Sequence, residues 1–152
     1  MKVLGKSSIS SLVNLLLKVI FVLGVIVIIC LPKLLDWYVS YFPADHVIYY
    51  PMLIVLYLSG IMALFAVFGL IKLFETLKKN TPFITENVKH LKAISICCLI
   101  IAIIYLVGIF VFQSAFVVVI FIMFTIASLA FLILAELFKQ AVEYKEENDL
   151  TI

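Results

Sequence analysis

Ala93–Ala135 reads AISICCLIIAIIYLVGIFVFQSAFVVVIFIMFTIASLAFLILA, 43 residues without one charged side chain. A helix crosses the hydrocarbon core of a bilayer with about 20 apolar residues. The run is therefore too long for one span and suits two spans with a tight turn. The polar pair near its middle is Gln113-Ser114, and a reversal at the membrane edge needs groups that water can hydrate. The reading is a helical hairpin with spans at 93–112 and 115–137.

Working back toward the N-terminus, two more apolar segments reach spanning length, Leu15–Leu35 and Pro51–Phe74. Pro51 suits the first turn of a helix, where its missing N–H costs nothing. Pro32 lies near the outer end of the first span, where a kink is cheap. The whole chain agrees with this picture. It is 66% hydrophobic and 13% charged, with a mean hydropathy of +1.32, too apolar for a water-soluble core inside a wetted shell. The expected fold is all-α, an integral membrane four-helix bundle forming one domain over residues 1–152. A loop at 75–92 and a tail at 138–152 carry most of its charge.

Orientation follows from the lysines. Lys2, Lys6 and Lys18 precede or open the first span. Lys72, Lys78, Lys79, Lys89 and Lys92 flank the middle loop, and Lys139 and Lys145 lie in the tail. Four spans place all of these on one side and leave Lys33 on the other. The positive-inside rule makes the lysine-rich side cytoplasmic, with both termini inside. The net charge of +2 comes with no arginine, which gives no basic face of the kind that binds nucleic acid directly. The first apolar run is longer than a signal-peptide core and lacks a small-residue cleavage site.

The outer connection, Asp36–Tyr50, is rich in rings: Trp37, Tyr38, Tyr41, Phe42, Tyr49 and Tyr50. Amphipathic rings favour the headgroup level, so they read as an interfacial belt in preference to a ligand receptor. The inner loop is more distinctive. Lys78 and Lys79 suit a helix C-terminus, Asn80 can take the left-handed conformation that ends a helix, and Pro82 prevents continuation. Thr85 then offers an N-cap hydroxyl, with Glu86 favoured in the first turn. Phe83 and Ile84 are apolar residues set in this polar loop.

Chemistry is sparse. No acidic residue lies mid-membrane, where an ionisable group would point to transport or proton relay. Lys18 is close enough to the headgroups to snorkel. Cys97-Cys98 is not a Cys-x-x-Cys pair, and Cys30 lies one span away, so the cysteines read as packing residues. His46 and His90 fall on opposite sides of the bilayer and cannot share a metal. Phosphate loops and nucleophile–base motifs are absent. The expectation is a protein with no catalytic residue, cofactor or metal.

Lys79-Asn80-Thr81-Pro82-Phe83, followed by Glu86-Asn87 and Leu91, together with the terminal Glu146-Glu147-Asn148-Asp149-Leu150-Thr151-Ile152, resembles the bacterial domain-of-unknown-function 2975 family. The likeness covers nearly the whole chain. It implies a four-helix protein of the bacterial cell membrane, encoded beside a small Cro-type helix-turn-helix regulator. One departure is that the family often has a glycine soon after the last span, where this chain reads Phe138-Lys139-Gln140-Ala141-Val142. The tail helix is thus expected to continue unbroken. With the resemblance, the leading expectation is a non-enzymatic regulatory partner of that regulator. The alternative is a small transporter or immunity-type protein acting on a lipophilic or peptide compound. The lipid bilayer is the first partner, a homo-oligomer stays open, and Asn80, Pro82, Phe83, Glu86, Asn87, Glu147 and Asp149 are the candidate partner-binding residues.

Overall fold

A computed structural model describes residues 8–41, 48–79 and 83–150 of the chain. They form four helices: α1 (Ser8–Tyr41), α2 (Tyr49–Lys78), α3 (Thr85–Phe112) and α4 (Ala115–Leu150). All four are long and apolar enough to cross a membrane. The many leucines, isoleucines and phenylalanines exposed along them are what lipid requires of a helix surface.

The α3–α4 hairpin turns on two residues. Gln113 adopts the left-handed conformation at φ 46° and ψ 38°, at a cost of about 1 kcal/mol for a side chain with a Cβ. Its N–H donates to Ile109 O at 3.0 Å, and Val117 N–H donates to Ser114 O at 3.1 Å, so each helix end has a bond that closes it onto the turn. Deeper in the hairpin, Ser95 Oγ donates to Ser128 O at 2.8 Å and Ser128 Oγ returns a bond to Ser95 O at 2.9 Å. Such interhelical bonds contribute roughly 0.6 kcal/mol each at membrane depth. Two reciprocal ones also fix the axial register of α3 on α4.

Two helix ends differ from the sequence expectation. α1 continues through Asp36 to Tyr41, so the first six residues of the expected outer loop are helical. Asp36 alone does not stop a helix, and the next strong stop is Pro43, which disfavours helix in the residue before it. At α3 the N-cap is Ile84, extended at φ −133° and ψ 147°, and no side chain caps it. Thr85 therefore sits inside the first turn and does not cap it. Asn87 N–H bonds to Ile84 O at 3.0 Å, and tertiary contacts of Phe83 and Asn87, described below, set the start in place of the threonine hydroxyl. Asn80 and Pro82, the expected stop after α2, lie outside the described residues.

The bundle is open. Helices pack in chain order, α1 on α2, α2 on α3 and α3 on α4, and among the described residues α1 and α4 share no extended seam. Close approach is set by small residues. A Cβ on Gly60 would meet Ile28 of α1 at 3.3 Å, and one on Gly69 would meet Ile94 of α3 at 2.9 Å. Ser59 is buried and satisfies its hydroxyl within α2 by donating to Val55 O at 2.7 Å. Of the small residues on α4, Ser128 is buried at the α3 seam and Ala130 is exposed. α3 is the most enclosed helix, and the core cluster Leu73, Leu91 and Ala135, flanked by Leu77, Phe131 and Phe138, joins α2, α3 and α4 near the lysine-rich end.

Candidate functional site

The lysine-rich end gathers the start of α1, the end of α2, the start of α3 and the end of α4. Three contacts preorganise it. Asn87, fully buried at the start of α3, accepts from Thr76 Oγ1 of α2 at 2.8 Å. That hydroxyl also lies 2.7 Å from Leu73 O, so its one proton is shared between two acceptors. The Phe83 ring sits 5.6 Å from that of Phe138 on α4, tilted by 50°. Beneath them lies the Leu73–Leu91–Ala135 cluster.

Charge is arranged in two groups. Glu75 on α2 holds Lys18 of α1 at 3.4 Å and Lys72 of its own helix at 3.6 Å. On α4, Lys139 lies between Glu136 at 3.7 Å and Glu143 at 3.8 Å. These pairs are half-exposed and screened by solvent, so they add little to stability. Their importance is positional, since the first ties α1 to α2. His90 faces Glu86 one turn away at 3.9 Å.

The structure separates the candidate residues into two sorts. Asn87 is interior and Phe83 is stacked on α4, so both shape the surface. Glu86, Glu147 and Asp149 are exposed and can meet a partner. Asn80 and Pro82 lie outside the described residues. α4 runs unbroken to Leu150, and after the buried Val142 every residue from Glu143 to Asp149 is exposed. Beyond it Glu143, Glu146, Glu147 and Asp149 stand on an exposed helical end, where Asn148 Nδ2 donates to Tyr144 O at 3.1 Å.

Sequence reasoning missed several residues. Thr76, Glu75 and Ser95 are contact residues whose roles depend on a partner in another helix. Asn14 is buried, and its Oδ1 has no hydrogen-bond partner among the described residues. An asparagine inside Leu-Val-Asn-Leu-Leu was the available signal, because an amide is costly in an apolar helix face. Among the described residues no three His, Cys, Asp or Glu side chains converge as a metal site requires. The three cysteines are free thiols, Cys30 exposed, Cys97 half-buried and Cys98 buried.

An apolar groove of about 360 Å³ runs at membrane depth between α1 and α2, with Ser59 and Tyr105 as its polar side chains and Phe124 of α4 on its rim. A second hollow of about 410 Å³, sharing Leu56 and Tyr105, opens toward Tyr38 and Phe116 at the end opposite the lysine-rich one. Neither wall carries a charged side chain.

Against known proteins, residues 38–152 match the family described as "Protein of unknown function (DUF2975)". That stretch takes in α2, α3 and α4 entire. The chain is also 32% identical over 136 residues to the uncharacterized membrane protein YoaS of Bacillus subtilis (strain 168), covering 82% of this chain and 85% of that protein. No solved structure matches.

Proposed function

The chain belongs to the DUF2975 family of proteins of unknown function, and from that premise we propose that it is a non-enzymatic regulator in the cell membrane that holds a small helix-turn-helix protein at its cytoplasmic end. The orientation, with both termini inside, rests on the lysine asymmetry. The choice of partner rests on the family likeness, which pairs such proteins with a Cro-type regulator.

One observation carries the reading. α3 and α4 share a tight turn, yet α3 has 28 residues and α4 has 36. At 1.5 Å per residue the end of α4 projects about 12 Å past the start of α3. The projecting turns carry four acids, Glu143, Glu146, Glu147 and Asp149, against Lys145. A helix-turn-helix protein holds DNA phosphates with a basic face, and an acidic helix is complementary to that face. Engaging it would withhold the regulator from DNA without any contact between this chain and nucleic acid.

The test is capture of the neighbouring helix-turn-helix protein by the detergent-solubilised chain. Wild type should retain it in low salt and lose it as salt rises, because exposed charges are screened. Truncation after Tyr144 should cut retention by about tenfold, the effect of two lost charge contacts near 0.7 kcal/mol each, while membrane levels stay normal. Equal capture by the truncated chain would sink the proposal. A second reading, transport of a lipophilic compound, is favoured by the uncharged groove with Ser59 and Tyr105. It would then move ahead.

A further inference from the structure

We propose that the seam between α1 and α2 holds one anionic phospholipid, with its phosphate at Lys18 and Lys72 and an acyl chain in a slot beneath them. The slot, about 370 Å³, is walled by Phe21, Ile61, Leu64, Phe65 and Phe68, with no polar side chain among them. Phe21 and Phe68 close it across the two helices, their rings 6.3 Å apart.

The charges stand one turn beyond the slot's wall, with Phe68 as the link. On α2, positions 61, 65, 68, 72 and 75 recur at helical spacing, so the apolar wall and the charged group form one stripe. Lys72 Nζ lies 5.5 Å from the centre of the Phe68 ring, a cation–π contact that holds the ammonium beside a wall residue of the slot. Lys18, one turn before Phe21 on α1, reaches the same Glu75 that Lys72 does. Two cations therefore surround one carboxylate and leave an excess of one positive charge. The pairs, at 3.4 and 3.6 Å, are longer than the 2.7–2.9 Å or so of a tight charge-assisted bond. Each ammonium has three donors, and both side chains remain about half exposed. Donors are thus available for a phosphate.

Depth fits as well. Counting about 20 residues inward from Pro51 brings α2 to Leu70, so Lys72 stands where hydrocarbon gives way to headgroups. The combination of a cationic excess at phosphate level and an apolar slot continuous with it suits a glycerophospholipid. A free phosphate would use the lysines and leave the slot unused. A zwitterionic choline lipid would bring its own cation against the excess charge.

The test is native mass spectrometry of the full chain, released from micelles doped equally with phosphatidylglycerol and phosphatidylcholine of the same acyl chains. One net positive charge is worth about 1 kcal/mol toward anionic lipid, so wild type should retain phosphatidylglycerol about fivefold over phosphatidylcholine. Lys18→Gln with Lys72→Gln, which leaves Glu75 as the one charge at the site, should bring the ratio to one or below, and Phe65→Ala with Phe68→Ala should lower retention of both lipids. Glu75→Gln, which raises the excess charge, should increase the ratio, an outcome that misfolding would not produce. Lys139→Gln, a lysine at the same end but away from the slot, should leave it unchanged. The site is refuted if the double lysine variant keeps the wild-type ratio, if Glu75→Gln lowers it, or if Lys139→Gln lowers it as much as the double variant does.

Discussion

Gly69→Leu should destabilise the protein by about 2 kcal/mol or more. The space that a side chain would need at position 69 is already filled. Even a bare Cβ there would come within 2.9 Å of Ile94 Cγ1 and 3.8 Å of the His90 carbonyl. Ile94 is 1% exposed, so it has nowhere to withdraw, and Cγ1 is not the free end of a flexible chain. Overpacking a closed seam by a methylene or two costs roughly 1–3 kcal/mol. A leucine adds four carbons, so the expected cost is at least about 3 kcal/mol, partly offset by about 1 kcal/mol of helix propensity gained on removing glycine. Unfolding in mixed micelles measures the loss. Gly69→Leu combined with Ile94→Ala should recover much of it, because the second change vacates the volume that the first one fills. A single variant as stable as wild type would mean that α2 and α3 do not pack through this glycine. Gly24 makes a useful contrast. A Cβ there meets Leu64 Cδ2, a methyl at the end of a side chain, at 2.8 Å, and Gly24→Ala should be tolerated.

Asn87→Ala should destabilise the protein by about 2 kcal/mol. The side chain is fully buried, so truncation leaves a hole and removes the bond from Thr76. Buried polar losses run at about 1–3 kcal/mol. The Thr76 hydroxyl keeps its bond to Leu73 O, so the variant strands no donor there, which holds the estimate to the middle of that range. Thr76→Val should cost about 1 kcal/mol. Because both changes remove one contact, the double variant should lose less than the sum of the two. Strict additivity would show that the 2.8 Å contact carries no energy. Asn87 is thus expected to act on any partner through the shape of the lysine-rich end. Its loss should reduce capture of the regulator only as far as it loosens the start of α3.

The number of helices was legible because lipid imposes a length, and length can be counted along Ala93–Ala135 without knowing any contact. The turn at Gln113-Ser114 was legible for a similar reason, since that pair is the polar break near the middle of the run. How the helices pack was not. In water an amphipathic stripe marks the face that is buried, whereas in lipid both faces are apolar and no such stripe exists. Ala127, Ser128 and Ala130 look alike as small residues, yet Ser128 bonds to Ser95 and Ala130 faces outward. The same limit hid the open arrangement, in which α1 meets α2 and leaves a groove beside it. At the lysine-rich end, Asn87 read as a polar residue at a helix start, available to a partner. Its burial depends on Thr76, 11 residues earlier in another helix, and local pattern cannot reveal that pairing. Glu75 is a similar case, being the first residue of a charged loop by sequence and the link between Lys18 and Lys72 in space.

A cytoplasmic regulator can be held only if the lysine-rich end faces the cytoplasm. Single cysteines at Asp45→Cys and Lys79→Cys, in a background with Cys30, Cys97 and Cys98 replaced by alanine, report this directly. With a membrane-impermeant maleimide on intact cells, Asp45→Cys should label and Lys79→Cys should label only after permeabilisation. Labelling of Lys79→Cys in intact cells would place that end outside and contradict the proposed function at its base.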